Sequence, residues 1–328
     1  MPDKPNSTYK IVGIVAAVLA VAGLLVCCGC GGLVYWASSA PGASAAALEP
    51  FDPTSVPIPP MPDRAAVEPY EVEPGAMLTE LQFENSGGPG QSGQVWLYLP
   101  PGDHAPGSLP CVLIAPAGTT MLEGMDLGEG DQAEHLPYVH AGFAVVAYSL
   151  DGPSFGEFDP AAFNAFRDSM AGLVNARNAV EFVLAKVPEV DPKRIYAAGH
   201  SSAGTHALLL AEHEPRLAGA AAYMPAYDVP KRFGWFLRFV EGQLPGATEF
   251  AHRSSPKTHA DRLNCPVFLY TANDDSNVPA ADVRAAAEDL QSRGKDVTIE
   301  VAPYGGHYEP MIDSGIPAAI EWMKTKGA

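Results

Sequence analysis

Positive charge is what this sequence has least of. Twenty Lys and Arg stand against 38 Asp and Glu over 328 residues, a formal net charge of −18. Nearly all of the acidic excess lies after Trp36. A surface of that sign repels phosphate backbones, which argues against nucleic acid or an anionic membrane surface as partner. Cysteine is scarce as well. Cys27, Cys28 and Cys30 sit in one apolar segment, and only Cys111 and Cys265 lie beyond it. No Cys/His spacing suits zinc, so no metal is expected. Cys111 and Cys265 each precede an apolar strand, and those two strands are not expected to be neighbours. Buried free thiols are therefore expected, and not a disulfide.

Charge of either sign is missing from Ile11 to Trp36. As a helix rising 1.5 Å per residue this run reaches roughly 39 Å, enough to cross a hydrocarbon core of about 30 Å. Lys4 and Lys10 precede it and Glu49 and Asp52 come after it, which places residues 1–10 in the cytoplasm and the remainder outside. The expectation is a single signal-anchor transmembrane helix over 11–36. A cleaved signal peptide ending near Ala43-Ser44-Ala45 is the rival, although its apolar region is usually about 7–15 residues. Lipidation at Cys27, Cys28 or Cys30 is a weaker rival, because the residues before them form a poor lipobox. Both rivals still export the bulk of the chain. Nine prolines between Pro41 and Gly75 deny that stretch a helix or a central strand. Residues 37–76 read as an extended linker whose end can pack on the domain it precedes.

Residues 77–328 suit one α/β domain. Leu78–Phe83 and Gln94–Leu99 flank turn chemistry and read as a hairpin. Six apolar runs come next: Cys111–Ala115, Ala144–Tyr148, Ile195–Ala198, Gly219–Tyr223, Val267–Tyr270 and Val297–Val301. Helical patterns over Gln132–His140, Ala161–Lys186, Ser202–Glu212, Ala280–Arg293 and Pro317–Lys324 separate most of them. The expected product is a mostly parallel eight-stranded sheet with helices on both faces, and a site at the strand C-termini. Residues 225–263 interrupt the alternation with Phe233, Trp235, Phe236, Leu237 and Phe239. They read as a small cap, either a pocket wall or a surface helix using its aromatics for packing.

Arg194–Gly204 reads as a strand, a glycine turn, a serine and a small-residue helix. That is the layout of a nucleophile elbow, with Gly199 two residues before Ser201 and Ala203 two after. A register with Ser202 as nucleophile puts His200 where the turn wants no side chain, so Ser201 is favoured. A serine hydroxyl needs a base to take its proton, and the base needs a carboxylate to fix its tautomer. Asp274 and Asp275 come after the Val267–Tyr270 strand. Asp275 fits better, with Val278 and Pro279 three and four residues on; the other acid is expected to cap the helix starting near Ala280. His307 lies beyond the last strand on the loop Gly305-Gly306. The other histidines lack such a setting, and His200 and His206 read as structural. For the oxyanion, the backbone N–H of Ser202 and that of Thr119, in the Pro116-Ala117-Gly118-Thr119 loop, are the candidate donors.

With these residues in place, the chain resembles the α/β-hydrolase family from about Leu78 to Trp322, in particular its prolyl oligopeptidase-like and dienelactone hydrolase-like branches. The resemblance rests on Val190–Ile195 leading into the elbow, Ser254-Ser255-Pro256, the Asp275 loop, Gly306-His307 and the order Ser, Asp, His. It implies the α/β-hydrolase fold and a serine hydrolase that needs no cofactor. Two departures turn the expectation from peptidase toward esterase. Prolyl oligopeptidases carry a large propeller ahead of the catalytic domain, where this chain has a proline-rich spacer. Their oxyanion loop usually offers a Tyr hydroxyl, where this one has Ala117, Gly118 and Thr119. The expected protein is a membrane-anchored extracytoplasmic hydrolase of a small-molecule ester or short peptide. A prolyl oligopeptidase-like peptidase and a non-catalytic binding domain are the alternatives.

Overall fold

The computed structural model describes residues 48–83, 88–90, 93–154 and 159–326. The expected membrane segment, 11–36, and Cys27, Cys28 and Cys30 lie outside the described residues. Among the described residues no helix is long and apolar enough to cross a membrane.

A single twisted sheet organises the domain. Its strands are β1 (Tyr70–Glu73), β2 (Ala76–Gln82), β3 (Gln94–Leu99), β4 (Leu109–Ile114), β5 (Ala144–Tyr148), β6 (Val190–His200), β7 (Gly219–Tyr223), β8 (Val267–Ala272) and β9 (Val297–Ala302). They lie in the order β1-β2-β3-β5-β4-β6-β7-β8-β9. The first three pair antiparallel, β3 meets β5 antiparallel, and the rest are parallel. The sheet therefore has nine strands, one more than expected. The extra strand comes from the end of the proline-rich stretch. Pro74-Gly75 turns the chain back, with Gly75 at φ +93°, and Tyr70–Glu73 pairs along β2. Two glutamates on this outermost strand discourage further strand pairing.

The rest of the expected linker is also tied down. Arg177 is buried and donates to the carbonyls of Pro53, Val56 and Pro57. The Arg253 guanidinium lies 4.4 Å over the Phe51 ring and donates to the Glu49 carbonyl at 2.9 Å. Arg64 grips the Glu189 carboxylate with two hydrogen bonds of 2.6 and 2.9 Å. Proline removes amide donors from a segment but leaves every carbonyl in need of one. Arginines of the domain supply them, so residues 49–64 form a strap along its surface.

The helices are α1 (Gln132–His140), α2 (Pro160–Asp168), α3 (Leu173–Lys186), α4 (Ser202–His213), α5 (Val229–Phe233), α6 (Leu237–Gln243), α7 (Ala247–Arg253), α8 (Pro256–His259), α9 (Ala280–Ser292) and α10 (Ile316–Lys326). The helix expected over Ala161–Lys186 is broken in two. Met170, Ala171 and Gly172 all take positive φ, 58°, 58° and 79°. Glycine suits position 172, where φ is +79°, and an added Cβ there would also crowd the Leu150 side chain just beyond β5 at 2.5 Å. Helices α5 to α8 make up the expected cap between β7 and β8. Cys111, on β4, and Cys265, two residues before β8, are both free thiols, and those two strands are not neighbours in the sheet.

Candidate active site

Strand β6 ends at His200 and α4 begins at Ser202, with Ser201 between them at φ 55°, ψ −118°. A non-glycine residue held there costs on the order of 1–3 kcal/mol and persists only where its surroundings insist on it. Ser201 N–H donates to the Tyr223 carbonyl at 2.8 Å, and the Ser201 carbonyl accepts from the Thr205 N–H at 3.0 Å. A Cβ at Gly199 would lie 2.5 Å from the Ala203 backbone, and one at Gly204 would lie 2.8 Å from the Gly199 carbonyl. The two glycines let strand and helix close to contact distance, and this closure forces the turn onto Ser201. Ser202 is the first residue of the helix, so the register with Gly199 two before the turn is the one the fold adopts.

Asp275 lies just past β8, and its side chain is wholly buried. Oδ2 accepts from His307 Nδ1 at 2.7 Å, while Oδ1 accepts from the N–H groups of Asn277 at 2.8 Å and Val278 at 2.9 Å. Burial pushes the Asp275 pKa up, but the His307 bond and the two amide donors outweigh it and hold the group below the usual carboxylate range. Asp274 does something else. Its carboxylate accepts from the N–H groups of Gly305 at 3.0 Å and Gly306 at 2.9 Å, which depresses its pKa. Neither acid caps α9, which begins behind Pro279 with no side-chain cap. Both hold the loop that carries His307.

His307 donates through Nδ1, which leaves Nε2 with its lone pair. Nε2 is sealed from solvent and has no hydrogen-bond partner among the described residues. No hydrogen bond links it to Ser201 Oγ in this resting structure; such contacts often tighten only when substrate is bound. The loop after β4 brings Thr119 to the elbow, but its N–H donates to the Ser202 hydroxyl at 3.0 Å, as does that of Gly118 at 3.0 Å. Engaging an oxyanion would require Thr119 to give up that contact. The Ser202 N–H opens α4 and has no carbonyl of its own helix to bond. The sequence pattern points to Ser202 only as a backbone donor, whereas its side chain is what ties the two halves of the candidate oxyanion site together.

Two histidines expected to be structural prove different from each other. His206 packs behind the elbow, bonds Tyr148 Oη at 3.0 Å, and burial lowers its pKa to about 4, so it stays neutral. His200 instead lies against His307, with ring centroids 4.6 Å apart. A void of about 20 Å³ beside the elbow is lined by Thr119, Met121, Ser202, Thr205, His206 and Ser254, among others. A larger cleft of about 310 Å³ opens between the cap and α9, lined by residues that include Tyr227, Lys231, Pro279 and Asp282 and by none of Ser201, Thr119 or His307. The cap's aromatics divide. Phe233 and Phe236 pack on the core, whereas Trp235 is 80% and Phe239 52% exposed. Among the described residues no group of His, Cys, Asp and Glu is arranged to hold a metal ion.

The family model for the prolyl oligopeptidase family matches residues 138–323, more than half of the chain. The chain belongs to this family. As a prolyl oligopeptidase family member it is a serine hydrolase of the esterase or peptidase type. A search of curated protein sequences finds no match. Among solved structures, an acetyl xylan esterase from a Paenibacillus species aligns with TM-score 0.59 at 20% identity over 82% of this chain and 90% of its own. An acetyl xylan esterase from a Thermoanaerobacterium species aligns with TM-score 0.57 at 20% identity over 81% and 90%. The acylaminoacyl peptidase of Pyrococcus horikoshii aligns with TM-score 0.55 at 17% identity over 76% of this chain but 40% of its own. At these identities the likeness is one of fold. This prolyl oligopeptidase family member shares the α/β-hydrolase architecture of all three.

Proposed function

We propose that this family member is a carboxylic ester hydrolase acting through an acyl-enzyme on Ser201. The observation that carries the reading is the 2.7 Å Asp275–His307 bond beside a serine held at φ 55°. His307 Nε2 takes the Ser201 proton as Oγ attacks the carbonyl carbon. Asp275 holds the Nε2-basic tautomer and stabilises the cation that forms. The tetrahedral oxyanion takes hydrogen bonds from the N–H groups of Ser202 and Thr119. The intermediate collapses, the leaving alcohol takes the proton back from His307, and water repeats the sequence to free the acid. Residues 11–36 anchor this domain to the outer face of a membrane.

The ester reading is supported by the oxyanion loop, where Ala117, Gly118 and Thr119 provide no phenolic donor. It is also supported by the two acetyl xylan esterases, which align over nearly their full length. Membership of a peptidase-named family favours amide hydrolysis as the second reading. A panel of p-nitrophenyl acetate, butyrate and octanoate against peptidyl p-nitroanilides separates the two. The ester reading expects kcat/KM for acetate or butyrate to exceed every anilide beyond their difference in intrinsic reactivity. Preferential anilide cleavage would replace it with the peptidase reading. Protease protection of a tag at residue 1 in sealed cells, with the domain digestible from outside, checks the topology.

A further inference from the structure

His200 is the residue before the candidate nucleophile, the last residue of β6, and only 5% exposed. Its Nε2 lies 2.7 Å from the backbone carbonyl oxygen of His307. A carbonyl can only accept, so Nε2 carries the proton and, in the neutral ring, Nδ1 carries the lone pair. Nδ1 faces Glu134 of α1 at 3.7 Å, beyond direct hydrogen-bond distance. The His200 and His307 rings tilt at 47° to each other, and Tyr308 meets His200 edge-on at 5.5 Å. With Nε2 bonded to the His307 carbonyl and Nδ1 facing Glu134 of α1, the His200 ring is engaged by these two partners.

The loop it touches has little stiffness of its own. Gly305 and Gly306 precede His307 at φ 122° and 76°, and glycines restrict their neighbours least. Three attachments fix it: Asp274 holds the two glycine amides, Asp275 holds the imidazole, and His200 holds the carbonyl. Only the third runs to β6, the strand that ends in Ser201. We propose that His200 is a positioning residue for catalysis, whose Nε2–H brace to the His307 carbonyl sets the approach of His307 Nε2 to the Ser201 hydroxyl. The inference rests on the triad reading above. Its physical basis is that a displacement of about 1 Å in a reacting group costs about 10²-fold in rate, and this brace joins the base to the residue adjoining the nucleophile.

Two variants of the full chain test it. His200→Phe keeps a ring against His307 and deletes the donor. His200→Gln places an amide N–H near the former Nε2. The brace predicts that His200→Phe loses about 10²-fold in kcat with KM within about threefold, and slows fluorophosphonate labelling of Ser201 by a similar factor. It predicts that His200→Gln recovers most of both. A folded His200→Phe with kcat within threefold of wild type overturns the brace, and so does an equal loss in both variants. If His200→Phe does not fold, the tautomer decides: long-range ¹⁵N correlation spectra of the wild-type chain must show His200 protonated at Nε2, and an Nδ1–H tautomer overturns the proposal. The two failures are distinguishable. A wild-type chain that neither labels nor hydrolyses esters sinks the triad and the brace with it, whereas an active wild type with an unaffected His200→Phe sinks the brace alone.

Discussion

Substituting Asp275 by Asn tests the acid–base pair with the least disturbance to packing. The amide is nearly isosteric with the carboxylate, and its oxygen can still accept from the Asn277 and Val278 N–H groups at 2.8 and 2.9 Å. The other terminus becomes an NH₂ facing His307 Nδ1 across the present 2.7 Å. Two donors cannot face each other, so the imidazole must turn its lone pair to Nδ1 and protonate Nε2, which removes the base. In Ser-His-Asp hydrolases this change costs about 10⁴ in kcat, or about 5.5 kcal/mol of barrier at 1.36 kcal/mol per decade. The loss of one charge-assisted bond takes about 1.5–3 kcal/mol from stability, so the variant should remain folded. Asp274→Asn is the internal control. It keeps an acceptor for one of the two glycine amides, which bond different oxygens of Asp274, leaves the Asp275–His307 bond in place and should lose less than about tenfold. Steady-state hydrolysis of p-nitrophenyl acetate by both variants, with melting curves alongside, reads the difference. Asp275→Asn within tenfold of wild type, or Asp274→Asn falling further than Asp275→Asn, would refute the assignment.

Three other outcomes are expected from the same geometry. Ser201→Gly should abolish turnover yet raise stability by about 1 kcal/mol, because glycine accepts φ 55° without strain; a lowered melting temperature would contradict the elbow strain. Asp275 has a pKa depressed in the folded protein, so its contribution is fully present above the ordinary carboxylate value of about 4 and is lost as pH falls from there through the lower folded value; the acid limb of stability against pH should flatten in Asp275→Asn, and an unchanged limb would count against the shift. Arg177→Ala leaves the carbonyls of Pro53, Val56 and Pro57 without their donor and should cost on the order of 3 kcal/mol. Limited proteolysis should then cut first between Glu49 and Pro60, and an unchanged cleavage pattern would show that the strap is not held by Arg177.

The parts of the fold legible in the sequence are those whose chemistry is local. Buried parallel strands show as unbroken apolar runs, and β4 to β9 lie within a few residues of those runs, although β6 is longer. Gly199 marks the elbow because a side chain there collides with the next turn of chain. The Val-Pro pair after Asp275 points to the acid that meets His307, of two adjacent ones. The hidden parts depend on long-range contact. The proline-rich stretch looks like a spacer because its carbonyls are satisfied by arginines more than a hundred residues away. Tyr70–Glu73 lacks the apolar run of a central strand because it lies on the rim with its side chains mostly exposed, yet Pro74-Gly75 does signal its turn. The break at Met170-Ala171 leaves only Gly172 as a local mark. His200 looks structural because strand periodicity turns it away from Ser201; only the folded His307 loop brings a carbonyl to it. The Ser202 side chain is hidden in the same way, since only the fold brings the Gly118 and Thr119 amides to the hydroxyl that follows the candidate nucleophile.

The claim on which the account stands is that Ser201 is an activated nucleophile. Reaction of the full chain with a fluorophosphonate, followed by peptide mapping, addresses it without any assumption about substrate. The account predicts one adduct, on Ser201, absent in Ser201→Ala and slowed by orders of magnitude in Asp275→Asn. A folded chain that stays unlabelled, or carries its adduct on Ser202, would contradict it.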